Sequence, residues 1–173
     1  YTPGAQSAGS HTLYVQESDA AGYWSASGSY AVTIESCSTV LTWGRNLYGQ
    51  LGMNVTLPYL TTPTAVTSLT GVSEVVGSGG GATVPFTVAR KSDGTVWSWG
   101  NNDSGQLGIG TLGTQGTPQQ ITTLAGVTDI DAGASFALAL DGDDGSVWSW
   151  GMNSLNTGQL GVGDATATTR LLP

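Results

Sequence analysis

Short stretches in which apolar and polar residues alternate recur along most of this 173-residue chain. Residues 86–89 and 136–140 each begin with phenylalanine, alternate with a period of two and lead into a turn that contains Asp and Gly. Each turn is followed by Val-Trp-Ser-Trp, at residues 96–99 and 147–150. Period-two patterning on both sides of an Asp-Gly turn is a strong indication of a β-hairpin. Because no window has helical periodicity, the pattern predicts an all-β fold in which 96–99 and 147–150 are equivalent strands.

A longer repeat is superimposed on this alternation. A Trp-Gly pair followed by the phrase Gly-Gln-Leu-Gly occurs in three units, which start near Trp43, Trp99 and Trp150. The units recur about every fifty residues, a period typical of arrays in which each small sheet buries an apolar face against its neighbour. We therefore expect small sheets stacked radially or linearly, with the three tryptophans in the core between them.

Taken together, these motifs resemble the repeat of the regulator of chromosome condensation family. The resemblance extends from Tyr30 to Pro173 and includes the Trp-Gly pair, the Gly-Gln-Leu-Gly phrase, a following proline and the Val-Trp-Ser-Trp-Gly strand. Repeats of that family are blades of a β-propeller. The resemblance implies that residues 37–173 form a partial β-propeller of about two to three blades, because a closed ring needs more units.

The first part of the chain has a different pattern. Two alternating strands flank an Asp-Ala-Ala-Gly turn and resemble the last strands of the immunoglobulin-like modules of bacterial surface and secreted proteins. This resemblance implies that residues 1–36 are the C-terminal strands of such a module, a short β-hairpin segment with its boundary near Ser36. The spacing also allows residues 30–34 to pair with residues 40–43 as the first hairpin of a blade. Both interpretations hold if one strand closes the module.

The first full unit is longer than the second by a glycine-rich segment, which we expect to form a mobile loop from Gly77 to Pro85. Insertions in repeat arrays map to loops on one face, often the binding face. A tolerated surface loop is the favoured interpretation, since lengthening a loop costs little free energy. No Gly-Lys-Ser or Gly-Lys-Thr follows, so the segment does not match a phosphate-binding loop.

Charged residues are sparse and mostly acidic. The chain has 4 Lys and Arg residues against 12 Asp and Glu residues, for a formal net charge of −8. Sparse charge is typical of exposed β-rich extracellular proteins, so we expect an extracellular or cell-surface location. An acidic surface repels phosphate backbones, and we expect no nucleic-acid partner, although the best-known member of the similar family binds chromatin and acts on a small GTPase. We also expect no membrane span, because no apolar stretch is long enough.

Candidate catalytic chemistry is scarce. His11 is the only histidine, so no site that needs two imidazoles can form, and its position in an alternating strand favours a structural role. The carboxylates are scattered among turns, where the sequence pairs no two of them as general acid and base. Cys37 is the only cysteine, so it makes no internal disulfide, and a small buried apolar role is favoured over a free thiol. We expect no catalytic residue and no cofactor.

Two weak motifs concern metal binding and modification. The turn with Asp141, Asp143 and Asp144 has the oxygen density that calcium uses, but it lacks the distal bidentate Glu of a calcium loop, so the expectation is that no metal binds. Asn54 and Asn102 each begin an Asn-x-Ser/Thr sequon. The second sequon lies in a blade turn, which leaves little room for a glycan.

Three classes of function are compatible with these features. The favoured class is a non-catalytic extracellular structural and interaction module, a segment of a larger bacterial surface, adhesin-like or appendage protein. The immunoglobulin-like segment favours this class, because it places the propeller in a string of modules. The alternative is a secreted propeller that inhibits an enzyme by covering its active site with loops of one face. A regulatory role like that of the nuclear relatives needs a basic face, which the composition does not supply.

The predicted arc of blades leaves strand edges and apolar blade faces uncovered, and exposed edges recruit other strands. The incomplete immunoglobulin-like segment has the same deficiency. We therefore expect protein partners, which are either the remainder of a longer chain or further copies that complete the arc by strand addition or blade stacking.

Overall fold

The computed structural model describes residues 9–14, 29–34, 39–54, 57–78, 84–154, 158–163 and 169–173. These residues form eleven β-strands in four antiparallel sheets and contain no helix. The prediction of an all-β fold is confirmed.

The first sheet is a hairpin of strands β1 (Gly9–Tyr14) and β2 (Ser29–Ile34). The next strand, β3 (Leu41–Arg45), pairs with β4 (Tyr59–Ala65), and this two-stranded sheet is the first blade. Within the described ranges β2 has no ladder with β3, so the alternative pairing of the two segments is absent there. Ser36 and Cys37 lie outside the described residues, and the domain boundary, the role of Cys37 and the immunoglobulin-like segment stay predictions.

The second blade is a complete four-stranded antiparallel sheet in chain order. A turn that contains Asp93 and Gly94 joins its second and third strands, as the hairpin pattern predicts. Four strands to a sheet is the blade architecture of β-propellers. The strands are β5 (Val72–Gly77), β6 (Phe86–Lys91), β7 (Val96–Gly100) and β8 (Gln115–Gln120).

The third blade has the same register as the second. Its strands are β9 (Val127–Ala132), β10 (Phe136–Asp141) and β11 (Val147–Gly151). The leading phenylalanine of β10 lies opposite Gly151, as that of β6 lies opposite Gly100 in the second blade. Gly151 forms a single β-bridge with Arg170. This bridge occupies the position that the fourth strand has in the second blade. The predicted equivalence of residues 96–99 and 147–150 is confirmed.

The antiparallel order places the connections of the blades on two opposite faces. The face on which β3, β7 and β11 end carries the long connections, and we call it the long-loop face. The opposite face, which we call the turn face, carries the tight hairpin turns at 92–95 and 142–146. The connections on the long-loop face span residues 46–58, 78–85, 101–114 and 152–169.

The core lies between the blades rather than within them. One buried cluster joins the first and second blades and includes Val40, Val66 and Trp99. A second cluster joins the second and third blades and includes Phe86, Val88 and Trp150. Alternation along each strand therefore sends one set of side chains to the preceding blade and the other set to the following blade.

Each interblade contact is centred on a tryptophan that sits on the Gly-Gln-Leu-Gly phrase of the preceding unit. Nε1 of Trp99 donates a hydrogen bond to the main-chain carbonyl of Gln50 at 2.8 Å, and Nε1 of Trp150 donates to that of Gln106 at 2.9 Å. The last glycine of the phrase lies under the indole, since a Cβ at Gly108 would come within 2.7 Å of Trp150 Nε1. We call each of these four-residue phrases an indole seat.

Trp43 corrects the expectation that all three repeat tryptophans are buried. Trp99 and Trp150 are fully buried, whereas Trp43 is 41% exposed. The prediction was wrong for Trp43 because no described blade precedes it to supply an indole seat.

Replacing Trp150 with Phe removes the indole N–H and leaves the buried Gln106 carbonyl without this donor. We expect Trp150→Phe to lower the free energy of unfolding by about 1–3 kcal/mol, the cost of an unsatisfied buried polar group. The same substitution at the exposed Trp43 should change it by less than about 0.5 kcal/mol. Urea titration of dilute protein, followed by far-ultraviolet circular dichroism, measures both values. An equal loss of unfolding free energy in the two variants would show that the hydrogen bond to the seat does not stabilise the fold.

Gly108 and Gly145 share a left-handed backbone, with φ of +67° and +75°, but a Cβ at Gly145 meets no atom within 4 Å among the residues described. We expect Gly145→Ala to cost about 1–2 kcal/mol, from backbone strain alone. Gly108→Ala should cost about 1–3 kcal/mol more, because the added methyl also collides with the Trp150 indole. Thermal and urea unfolding of both variants provide the comparison. A Gly108→Ala variant no less stable than Gly145→Ala would contradict close packing at the seat.

Candidate functional site

The long loops are held in shape by buried side-chain amides. In the second unit, Asn102 Oδ1 accepts from the main-chain N–H of Leu107 at 3.0 Å, and its Nδ2 donates to the Thr111 carbonyl at 2.7 Å. Gln106 Nε2 donates to Asn101 Oδ1 at 2.7 Å. Because these amides are fully buried and paired, they fix the loop from within. A structural role for these amides was not predicted, although the first unit also has an asparagine, Asn46, five residues before the leucine of its seat.

These loops carry apolar side chains in solvent, close to where the loops join the strands. Leu57 and Leu112 are 54% and 56% exposed, and they occupy equivalent positions six residues before the proline of their units. Leu47 and Met152 are also exposed on the long-loop face. We call these four side chains the apolar loop patch. Exposed apolar groups that share a face can mark a surface that binds other molecules, which makes the patch the candidate functional site.

The connection from Gly77 to Pro85 emerges on the same face. Ser78 donates its main-chain N–H to the Phe86 carbonyl at 3.0 Å, and the Phe86 N–H donates to Ser78 Oγ at 3.0 Å. The Pro85 carbonyl accepts from the main-chain N–H of Asn101 at 2.9 Å. Both ends of the loop are therefore anchored beside the long loop of the second unit. Residues 79–83 lie outside the described residues, and the predicted mobility of this loop stays a prediction.

The turn face is acidic, and its carboxylates accept hydrogen bonds from residues of the same turn. The hydroxyl and main-chain N–H of Thr95 donate to Asp93, and they hold the pKa of that carboxyl below its usual value. Hydrogen bonds from Ser146 lower the pKa of Asp144 in the same way. Asp141 Oδ1 accepts from the N–H of Asp143 at 2.8 Å. Over the described ranges, no three His, Cys, Asp or Glu side chains converge, so the calcium candidates do not form a ligand set.

Two of the four basic side chains lie against carboxylates. Nε of Arg90 donates to Glu74 Oε2 at 2.9 Å, and Lys91 Nζ lies 3.4 Å from Asp93 Oδ2. The pKa of Glu74 is raised, first by burial and then by Asp129 of the third blade, against the opposing effect of Arg90. These basic groups are therefore engaged within the blades.

The remaining sequence candidates are the two sequons and His11. The Asn102 side chain is fully buried and donates from Nδ2, so a glycan there is incompatible with the folded loop, whereas Asn54 is exposed. The backbone of His11 belongs to β1. In the part of the chain that the structure describes, no helix has the length and apolar character that a membrane-spanning helix needs.

Comparison with known families identifies the repeat. The family model described as "Regulator of chromosome condensation (RCC1) repeat" matches residues 38–85 and 93–140. A second model with the same description matches residues 127–159. The matched segments include the Trp-Gly pairs of all three units.

Relatives and solved structures agree with this match. The chain is 34% identical over 131 residues to the E3 ubiquitin-protein ligase HERC2 of Homo sapiens, a match that covers 73% of this chain and 3% of HERC2. It is 38% identical over 143 residues to the Ultraviolet-B receptor UVR8 of Arabidopsis thaliana, covering 81% of this chain and 31% of UVR8. Its fold is similar to that of Prp20p from Saccharomyces cerevisiae, with a TM-score of 0.65 and 19% identity, covering 79% of this chain and 33% of Prp20p.

The chain thus spans 3% of HERC2 and 31% of UVR8, a fraction of the curated relatives it matches. The family models match the repeat itself in this chain. The common strand register and the recurring indole seat show that the repeats are structural as well as sequence units. The chain therefore belongs to the regulator of chromosome condensation (RCC1) repeat family of β-propellers.

Proposed function

We propose that this chain is a non-catalytic extracellular structural and interaction module, a segment of a surface, adhesin-like or appendage assembly that binds protein chains through its long-loop face. The observation that carries the proposal is the apolar loop patch. Apolar side chains held in solvent on internally hydrogen-bonded loops are pre-organised for contact, so binding them costs little ordering entropy. Such groups form the centres of protein interfaces.

The class of partner has support from a protein of the same fold. Prp20p is described by its binding to Gsp1p and histones. At 19% identity the individual partners are not carried over, but recognition of proteins is the shared element of the proposal. The net charge of −8 and the engagement of Arg90 and Lys91 with carboxylates offer little attraction for nucleic acid.

The non-catalytic part of the proposal rests on the scarcity of chemistry near the patch. Its side chains are aliphatic or thioether groups, which neither transfer protons nor act as strong nucleophiles. HERC2 is named a ligase, but the similarity covers 3% of that protein and corresponds to its repeats.

The extracellular part of the proposal rests on composition. Charged residues make up 9% of the chain, well below the usual share of about a quarter in soluble proteins. Antibody labelling of intact cells, with permeabilised cells as the reference, tests the location. Labelling that requires permeabilisation would contradict it.

A secreted inhibitor-like propeller is the second candidate, and the location of the patch favours it as well. The four side chains of the patch lie on the face from which the long loops project, which is how loops would cover the active site of an enzyme. Inhibition of an enzyme secreted with this protein, lost on substitution within the patch, would favour this candidate over a structural module.

Selection of displayed random peptides against the immobilised chain tests the patch. We expect peptides rich in aromatic and aliphatic residues to bind, because they bury apolar surface against Leu57 and Leu112. The double variant Leu57→Asp/Leu112→Asp should weaken their binding at least about 10-fold, since truncating a central interface residue costs more than about 1 kcal/mol. Titration calorimetry of a selected peptide gives the dissociation constants.

Val147→Asp is the matched control, because Val147 is equally apolar and 65% exposed but lies at the start of β11, next to the turn face. It should bind the selected peptides as the unmodified chain does. Selection without enrichment, or an equal loss of binding in the control, would refute the patch as the binding site.

A further inference from the structure

A cavity of about 210 Å³, open to solvent, lies between the first and second blades. Ala65 ends β4 of the first blade and Thr117 lies in β8 of the second, so two blades that the structure describes enclose the cavity. The lining comes from both blades and from the first indole seat with the residue after it, and it consists of Gly52, Met53, Ala65, Thr67, Ser68 and Thr117.

Met53 borders both this cavity and the apolar core. It follows the last glycine of the first indole seat, and its half-buried side chain packs against the buried cluster that joins the first and second blades. That cluster includes Trp99, whose indole rests on the same seat. One thioether therefore belongs to an interblade contact and also to the wall of an open cavity.

The backbone on both sides of Met53 is fixed. Before it, the backbone lies directly under an indole, since a Cβ on Gly52 would come within 2.9 Å of Trp99 Nε1. After it, the N–H of Asn54 donates to the Gly116 carbonyl of β8 at 2.7 Å. A shift of the loop therefore cannot absorb a chemical change in the Met53 side chain, and such a change acts on the contact between the blades.

The equivalent position of the second unit carries no sulfur. Ile109 follows the last glycine of the second seat and packs in the same way against the cluster that joins the second and third blades. An aliphatic side chain thus satisfies the packing at this position, and the sulfur of Met53 adds a reactivity that the packing does not require. The chain has 2 methionines, and the other, Met152, is 39% exposed on the long-loop face.

We propose that Met53 is an oxidation site, at which a hydroperoxide converts the thioether to a sulfoxide and thereby loosens the contact between the first and second blades. The sulfur attacks the hydroxyl oxygen of the hydroperoxide, so an S–O bond forms and the O–O bond breaks. The sulfur gives up two electrons. The other peroxide oxygen takes up the proton of the transferred hydroxyl and leaves as water or an alcohol.

Oxidation changes the surroundings that the side chain favours. A sulfoxide is polar and disrupts apolar packing, so the oxidised group no longer fits against the buried cluster. Three lining residues of the cavity, Thr67, Ser68 and Thr117, carry hydroxyl groups, which can donate to a sulfoxide oxygen. The oxidised side chain therefore turns into the cavity, and the cluster around Trp99 loses an apolar neighbour. This site lies between blades, so it is independent of what the long-loop face binds.

Treatment of the folded full chain with dilute hydrogen peroxide tests the site, with Met53→Leu and Met152→Leu as a matched pair. Each variant keeps one methionine, and leucine replaces methionine with little change in volume. Peptide mass spectrometry detects the oxygen added to each methionine. We expect oxidation of Met53 in the Met152→Leu variant without prior unfolding, because the cavity admits molecules of the size of water and peroxide.

Urea unfolding compares each variant before and after treatment. The midpoint of the Met152→Leu variant should fall by about 0.5–1 M on oxidation, as expected when a buried contact acquires a polar group. The midpoint of the Met53→Leu variant should not change, although its Met152 is oxidised. Cys37 is present in both variants, so oxidation of the thiol would affect both alike.

Nitrogen-15 spectra locate the effect. The indole N–H signal of Trp99 should shift when Met53 is oxidised, because its hydrogen bond to Gln50 belongs to the affected contact. The indole signal of Trp150, which binds Gln106 in the next contact, should stay in place. Reduction by a methionine sulfoxide reductase should restore both the spectrum and the urea midpoint.

A Met53 that stays unoxidised in the folded chain while Met152 reacts would overturn the proposal, since the sulfur would then be inaccessible. An unchanged urea midpoint or an unshifted Trp99 signal after oxidation of Met53 would also overturn it, because the contact would then tolerate the sulfoxide. Equal losses of stability in the two variants would assign the effect to another residue and count against Met53.

Discussion

The hydrogen bond from a tryptophan indole to the main-chain carbonyl of the preceding seat organises the structure. No single blade encloses a core, so the orientation of one blade on the next decides whether the apolar clusters form. The indole fixes that orientation because it makes a directional bond at one edge and packs flat over glycine. The Gln106 carbonyl that binds the indole belongs to the loop that Asn102 holds in shape. A change in the shape of this loop would therefore also change how the two blades pack.

This constraint separates the two faces of the arc. The long loops carry the seats and are held by buried amides, so they present Leu57 and Leu112 in fixed positions. The turn face carries no seat, and its short turns are held by carboxylates that accept N–H groups of the same turn. The apolar loop patch and the carboxylates of the two hairpin turns consequently lie on opposite faces.

Much of the fold could be predicted because alternation and Asp-Gly turns report local geometry directly. The repeat predicted correctly that Trp99 and Trp150 are buried, but it predicted wrongly that Trp43 is buried. A repeat shows which side of a blade is apolar, but not whether another blade covers it. The apolar loop patch was missed since Leu57 and Leu112 look like ordinary loop residues. The one sequence feature that the two leucines share is their position six residues before the proline of their units. That position does not indicate whether the side chain is exposed.

The two full units differ in length, and the difference lies at the connection from Gly77 to Pro85. Hydrogen bonds between Ser78 and Phe86 close the base of this connection, and the Pro85 carbonyl ties it to Asn101. The strands and the seat thus keep their register whatever length of chain is placed above the base. This connection is a natural insertion point, where a foreign peptide could be grafted and displayed next to the apolar loop patch while the blades stay in place.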